Sequence, residues 1–71
     1  MKIELTSPIP GKIMKVLVGV GDAVNEDDEV MKIESMKMEN PIHSPVDGKV
    51  MEIFVDTGDV VSNGDVLLVV Q

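Results

Sequence analysis

The chain has 71 residues, no cysteine and a formal net charge of −7, with 13 acidic against 6 basic side chains. A length near the lower limit for a self-sufficient core, without disulfides or thiolate metal ligands, leaves the burial of aliphatic side chains as the source of stability. The basic residues are all lysines scattered among twice as many acids, which excludes a phosphate-tracking nucleic-acid surface and disfavours an anionic membrane. No apolar run approaches the roughly 20 residues of a membrane span. Met1-Lys2-Ile3-Glu4-Leu5 leads into no signal-peptide stretch, so a soluble, cytoplasmic protein is expected.

Valine and isoleucine dominate the apolar residues, and β-branched side chains favour strands. In chain order, Ile3 to Leu5 forms a short strand, and Gly11 to Val20 a second, carrying Ile13, Val16, Val18 and Val20. Val30 to Glu34 is a third strand and Met38 to Ile42 a fourth. Lys49 to Val55 follows, then the continuous apolar run Val66 to Val70, which suits a strand covered on both faces. Turn residues separate them: Ser7-Pro8, Pro10-Gly11, Gly21-Asp22, Ser44-Pro45, Asp47-Gly48, Gly58-Asp59 and Asn63-Gly64-Asp65. No segment has a helical period. Short strands at regular spacing with turn signals predict an all-β sandwich or barrel.

The chain also repeats itself. Ser7-Pro8-Ile9-Pro10-Gly11-Lys12-Ile13-Met14 aligns with Ser44-Pro45-Val46-Asp47-Gly48-Lys49-Val50-Met51. At the same offset Val18 meets Val55, Gly21-Asp22 meets Gly58-Asp59, Val24 meets Val61 and Asp28 meets Asp65. One copy cannot bury its own apolar face, so the two copies are expected to interlock around one core within a single domain, residues 1–71. The link between the copies is Glu34-Ser35-Met36-Lys37-Met38-Glu39. The flanking strands are close enough for a tight hairpin. Such turns favour Asn-Gly or Gly-X, because their central residues take positive φ. Here Met36 and Lys37 stand instead. Departures from local rules collect at functional sites.

Glu34-Ser35-Met36-Lys37-Met38 resembles the attachment motif of biotinyl domains, the biotin carboxyl carrier modules of biotin-dependent carboxylases and decarboxylases. Family members typically have Ala or Ser before Met-Lys-Met and a glutamate before that. The resemblance extends over nearly the whole chain, through the Pro-Gly opening, the Gly-Asp turns and the downstream Ser-Pro-x-x-Gly. It implies a flattened β-barrel, a barrel-sandwich hybrid of two four-stranded antiparallel sheets with pseudo-twofold symmetry. It also implies that biotin ligase joins biotin covalently to Lys37, with Met36 and Met38 as recognition flanks beside Glu34 and Ser35. The arm would then carry CO2 between biotin carboxylase and carboxyltransferase, the domain itself being a non-catalytic carrier. Gly19 to Glu29 is only as long as its repeat partner, Asp56 to Val66, so the protruding thumb of some bacterial acetyl-CoA carboxylase carriers has no room. Carriers of pyruvate, acyl-CoA and decarboxylase systems stay open, as does the choice between a free-standing protein and a domain of a longer one. Two alternatives share these residues. A lipoyl domain has the same fold but usually presents Asp-Lys without methionine on both sides. An unmodified interaction barrel would make Lys37 an ordinary surface lysine, with methionines capping the barrel end.

Other chemistry finds little support. Glu26-Asp27-Asp28-Glu29 lacks the ligand spacing and glycine of a calcium loop and is expected to be a solvated turn. His43 has no second histidine or cysteine to form a metal site with. No nearby histidine could activate Ser35 as a nucleophile. Met14 and Met51, related by the repeat, are expected in the core or at its rim.

Overall fold

A computed structural model describes residues 2–71; Met1, which the repeat aligns with Met38, lies outside the described residues. Eight strands form: β1 (Ile3–Thr6), β2 (Gly11–Val16), β3 (Ala23–Val24), β4 (Glu29–Ser35), β5 (Met38–His43), β6 (Gly48–Ile53), β7 (Val60–Val61) and β8 (Val66–Val70). They pair antiparallel in two four-stranded sheets of order β1-β8-β6-β3 and β5-β4-β2-β7. No described residue is helical.

The repeat maps the first sheet onto the second strand by strand, β1 onto β5, β8 onto β4, β6 onto β2 and β3 onto β7. Each sheet thus takes two strands from each copy, which is the interlocking that the duplication predicts. The core obeys the same relation. Its buried pairs are Leu5 with Ile42, Ile13 with Val50, Val24 with Val61, Val30 with Leu67, Met31 with Leu68 and Ile33 with Val70. Each fully buried Val or Ile contributes roughly 1.5–3 kcal/mol before entropy is counted.

Two strands differ from the expected extents. The segment predicted as Gly11 to Val20 leaves the ladder after Val16. Leu17 still donates its N–H to the Val30 carbonyl (2.9 Å), but the chain then folds into a turn in which Gly19 N–H donates to Asp22 Oδ2 (2.7 Å). Its counterpart ends at Ile53 for the same reason, with Asp56 N–H on Asp59 Oδ2 (2.8 Å). The two-residue strands β3 and β7 were not predicted, being too short to show a period. The connections β2–β3 and β6–β7 are equal in length, so there is no thumb. Met14 is half-buried and Met51 is 40% exposed, so the latter sits at the rim.

The body measures 33 × 17 × 17 Å. Ile3 lies opposite Val70, and Gln71 and Lys49 exchange backbone hydrogen bonds (2.8 and 2.9 Å), so both ends of the described chain meet. From there β1 runs to Thr6, Ser7 bonds to the turn before β8, and the chain arrives at Gly11 against the Glu34 carbonyl. That is the base of the β4–β5 hairpin. The long axis therefore separates the hairpin tip from the paired chain ends, as the repeat requires.

The repeat also supplies an internal control on turn chemistry. Gly64 has φ 91°, and Asp27 holds the equivalent place at φ 72°. An added Cβ at Gly64 would meet nothing within 4 Å, so backbone conformation alone sets the cost. Left-handed backbone costs an L-residue about 1–2 kcal/mol, offset in part by the greater chain entropy that glycine loses on folding. Gly64→Ala is expected to lower stability by about 1 kcal/mol. Asp27→Gly is expected to raise it by about 0.5 kcal/mol. Urea unfolding of the two variants measures both signs.

Candidate functional site

The β4–β5 hairpin is the longest ladder in the molecule. It pairs Met31 with Ile42, Lys32 with Pro41, Ile33 with Asn40, Glu34 with Glu39 and Ser35 with Met38. Two residues close it, Met36 at φ 54° and Lys37 at φ 63°. Positive φ at both central positions defines the type I′ geometry, whose twist matches that of the flanking strands. Asn-Gly would satisfy it at little cost, whereas Met-Lys places two Cβ-bearing residues in left-handed backbone at roughly 1–2 kcal/mol each. The ladder beneath holds the turn in place.

Three features stiffen the base. Asn40 Nδ2 donates to the Ile33 and Met38 carbonyls (3.4 and 3.2 Å). Gly11 lets β2 lie tight against β4, since a Cβ there would meet the Glu34 carbonyl oxygen and Ile33 Cγ2 (2.7 Å). Lys32 bridges Glu39 (3.4 Å) and Glu29 (3.7 Å), and Glu39 is the cross-strand partner of Glu34. Like charges directly opposite destabilise a strand pair, so a cation on one of them steadies the hairpin.

All five residues singled out in the sequence sit on this hairpin. Lys37 is exposed at the tip and has no ion-pair partner among the described residues. Met36 is 92% and Met38 66% exposed, so neither caps the barrel end. Glu34 is exposed and Ser35 half-buried, two residues and one residue before the turn respectively. Asn40 and Gly11 were not singled out as site residues. Gly11 was legible in principle, because Gly48 repeats it and likewise leaves no room for a Cβ beside Val70 Cγ1 (2.7 Å). Asn40 carried no signal, since Ile3 takes its place in the other copy. His43 lies exposed at the end of β5, and no group of metal-ligating side chains exists among the described residues.

The arrangement presents one primary amine on a rigid, strained tip, framed by two solvent-exposed thioethers. The sequence model of the family described as "Biotin-requiring enzyme" matches residues 3–70. The chain belongs to that family, as a biotinyl domain. Its relatives include the biotin carboxyl carrier protein of Streptococcus mutans serotype c, 55% identical over 38 residues, which are 54% of this chain and 29% of the relative. The 2-oxoglutarate carboxylase large subunit of Hydrogenobacter thermophilus is 50% identical over 40 residues, 56% of this chain and 6% of that one. Among solved structures, the Kluyveromyces lactis urea carboxylase superposes with a TM-score of 0.93 at 35% identity, covering 100% of this chain and 6% of that one. The chain thus spans less than a third of the length of the curated relatives it matches.

If the tip stores backbone strain, relieving it raises stability. Met36→Asn, a residue at ease in left-handed backbone, is expected to gain a few tenths to about 1 kcal/mol in chemical unfolding. A loss instead would mean that the exposed Met36 side chain packs more than its surface position suggests.

Proposed function

We propose that Lys37 is the covalent attachment point for biotin and that the domain is a biotin carboxyl carrier. The observation that carries this is the placement of Lys37. It stands at the tip of the link that joins the two copies, in left-handed backbone where glycine would cost least, inside a biotinyl domain. The residues present fit such an attachment. The amine is exposed and unpaired among the described residues, between two exposed methionines.

In this reading Lys37 Nζ is the nucleophile. It forms an amide with the carboxyl carbon of biotin, and AMP leaves from the adenylate that a biotin ligase supplies. Met36 and Met38 give the ligase an apolar, adaptable surface on either side of the amine; unbranched thioethers suit docking by several partners. Glu34 and Ser35 continue that surface along β4. Once attached, the group supplies a ureido nitrogen that takes up and releases CO2, the chemistry being the cofactor's own. The protein holds the arm at a stiff tip and keeps it available to a biotin carboxylase and a carboxyltransferase in turn. Tethering replaces free diffusion with a high effective concentration at both sites. The names of the matching relatives, a carrier protein and subunits of carboxylases, support these partners.

Coexpression with a biotin ligase and intact-mass analysis tests the reading. One biotinyl group per chain is expected, mapped to Lys37, and none on Lys37→Arg, which keeps the charge and the fold. Streptavidin binding by that variant would overturn the assignment, and one lipoyl group in place of biotin would move the domain to the lipoyl class.

The flanking methionines separate recognition from packing. Met36→Leu and Met38→Leu are each expected to keep stability within about 1.5 kcal/mol. The specificity constant for biotinylation should fall by about tenfold, the equivalent of one well-made contact of about 1.4 kcal/mol. Unchanged ligation with a large stability loss would assign the methionines to packing.

A further inference from the structure

The repeat offers an internal comparison of the two outer sheet faces. In the β5-β4-β2-β7 sheet, Lys32 points outward at the centre of β4, between Pro41 on β5 and Lys15 on β2. Its ammonium is held by Glu29 and Glu39. In the other sheet the equivalent position is Val69, between Glu4 on β1 and Glu52 on β6. One face supplies its own cation. The other has Val69, 6% exposed between two carboxylates, and neither carboxylate has an ion-pair partner among the described residues. Phe54, 54% exposed just beyond β6, stands where the other copy has Leu17. Lys2, Ile3, Glu4, Glu52, Phe54 and Val69 line an open groove of ≈ 610 Å³ there. Among the described residues Lys2 is the one cation lining this groove, and it lies beyond ion-pair distance of both carboxylates.

We propose that this groove is a docking site for an arginine side chain presented by a partner protein. Glu4 and Glu52 flank β8 from opposite sides, two inter-strand spacings of about 4.8 Å apart. A guanidinium has donors on more than one edge, so a single group set over Val69 can face both carboxylates, which a point-charge ammonium does less well. Its methylene stem runs along the groove above Val69, and its plane can stack on the exposed Phe54 ring. The occupant is not a second copy offering the same group, because this chain contains no arginine. The groove lies beside Ile3 and Val70, at the end remote from the Lys37 hairpin. An occupant there leaves the tip free. The inference stands on the face itself and holds whether or not Lys37 is modified.

The test is a titration of the ¹⁵N-labelled 71-residue chain, followed by amide shifts, with acetyl-Leu-Arg-Leu-amide and with the same peptide carrying neutral citrulline in place of arginine. Saturable shifts confined to Ile3, Glu4, Glu52, Phe54 and Val69 are expected, with the citrulline peptide at least about tenfold weaker. The double variant Glu4→Gln with Glu52→Gln should weaken the arginine peptide by a similar factor. Val69→Lys places in the groove the residue that the other sheet already carries, and should abolish the shifts. Should Val69→Lys fail to fold, the glutamine pair decides alone. Equal binding of both peptides overturns the proposal, as do shifts centred on Met36 to Met38 or on Glu26 to Glu29. Concentration-dependent shifts at Lys15, Leu17 and Lys32 without peptide would assign the groove to a second copy and overturn it too.

Discussion

Each half of this molecule is clasped by the other at a buried serine. Ser7 and Ser44 are 1% exposed and stand where the chain leaves one sheet for the other. Ser7 donates its N–H to the Asp65 carbonyl (2.8 Å) and accepts from Gly64 N–H (2.7 Å); Ser44 does the same with Asp28 and Asp27 (both 2.8 Å). Each hydroxyl then donates forward, to the carbonyl of Ile9 or Val46. A buried backbone group left unpaired costs about as much as a lost hydrogen bond. The crossing of the sheets is possible because the backbone of each serine is paired with the opposite copy's turn and its hydroxyl with a carbonyl two residues further along its own copy. Sheet order, core pairing and the position of the hairpin follow from these two crossings.

Much of this was visible in the sequence. The alignment of Ser7 with Ser44 and of Gly11 with Gly48 marked the crossings and the close strand approaches, since residues with strict geometric duties recur in both copies. The continuous apolar run Val66 to Val70 announced a covered strand, and its last four residues are buried. The short strands β3 and β7 were not legible. A pair of residues has no period, and only their place between two Asp-closed turns forms them. The premature ends of β2 and β6 were hidden for a related reason. Val18 and Val55 still pack against the core from a loop, so apolar spacing runs on after the ladder has stopped.

The site was legible through what was missing. Where the fold needs left-handed backbone, the sequence elsewhere uses glycine, as at Gly21, Gly58 and Gly64. At the hairpin tip it uses Met36 and Lys37, and physical economy gives no reason for them. Asp27 is the instructive counterexample. It too is left-handed, yet aspartate tolerates that region, so its presence needs no function beyond the turn. Left-handed backbone thus points to function only where the side chain is one that the region disfavours.

Two interlocked copies related by a twofold axis have no front and no back. A linear chain cannot keep that equality. It must join the copies once and leave its own ends unjoined once, and strand direction puts the join and the gap at opposite poles. The polarity of this domain, with a lone amine at one pole and chain ends at the other, is therefore a topological result of threading one polypeptide through a symmetric body. Whatever is connected through the backbone enters from the pole that faces away from the lysine.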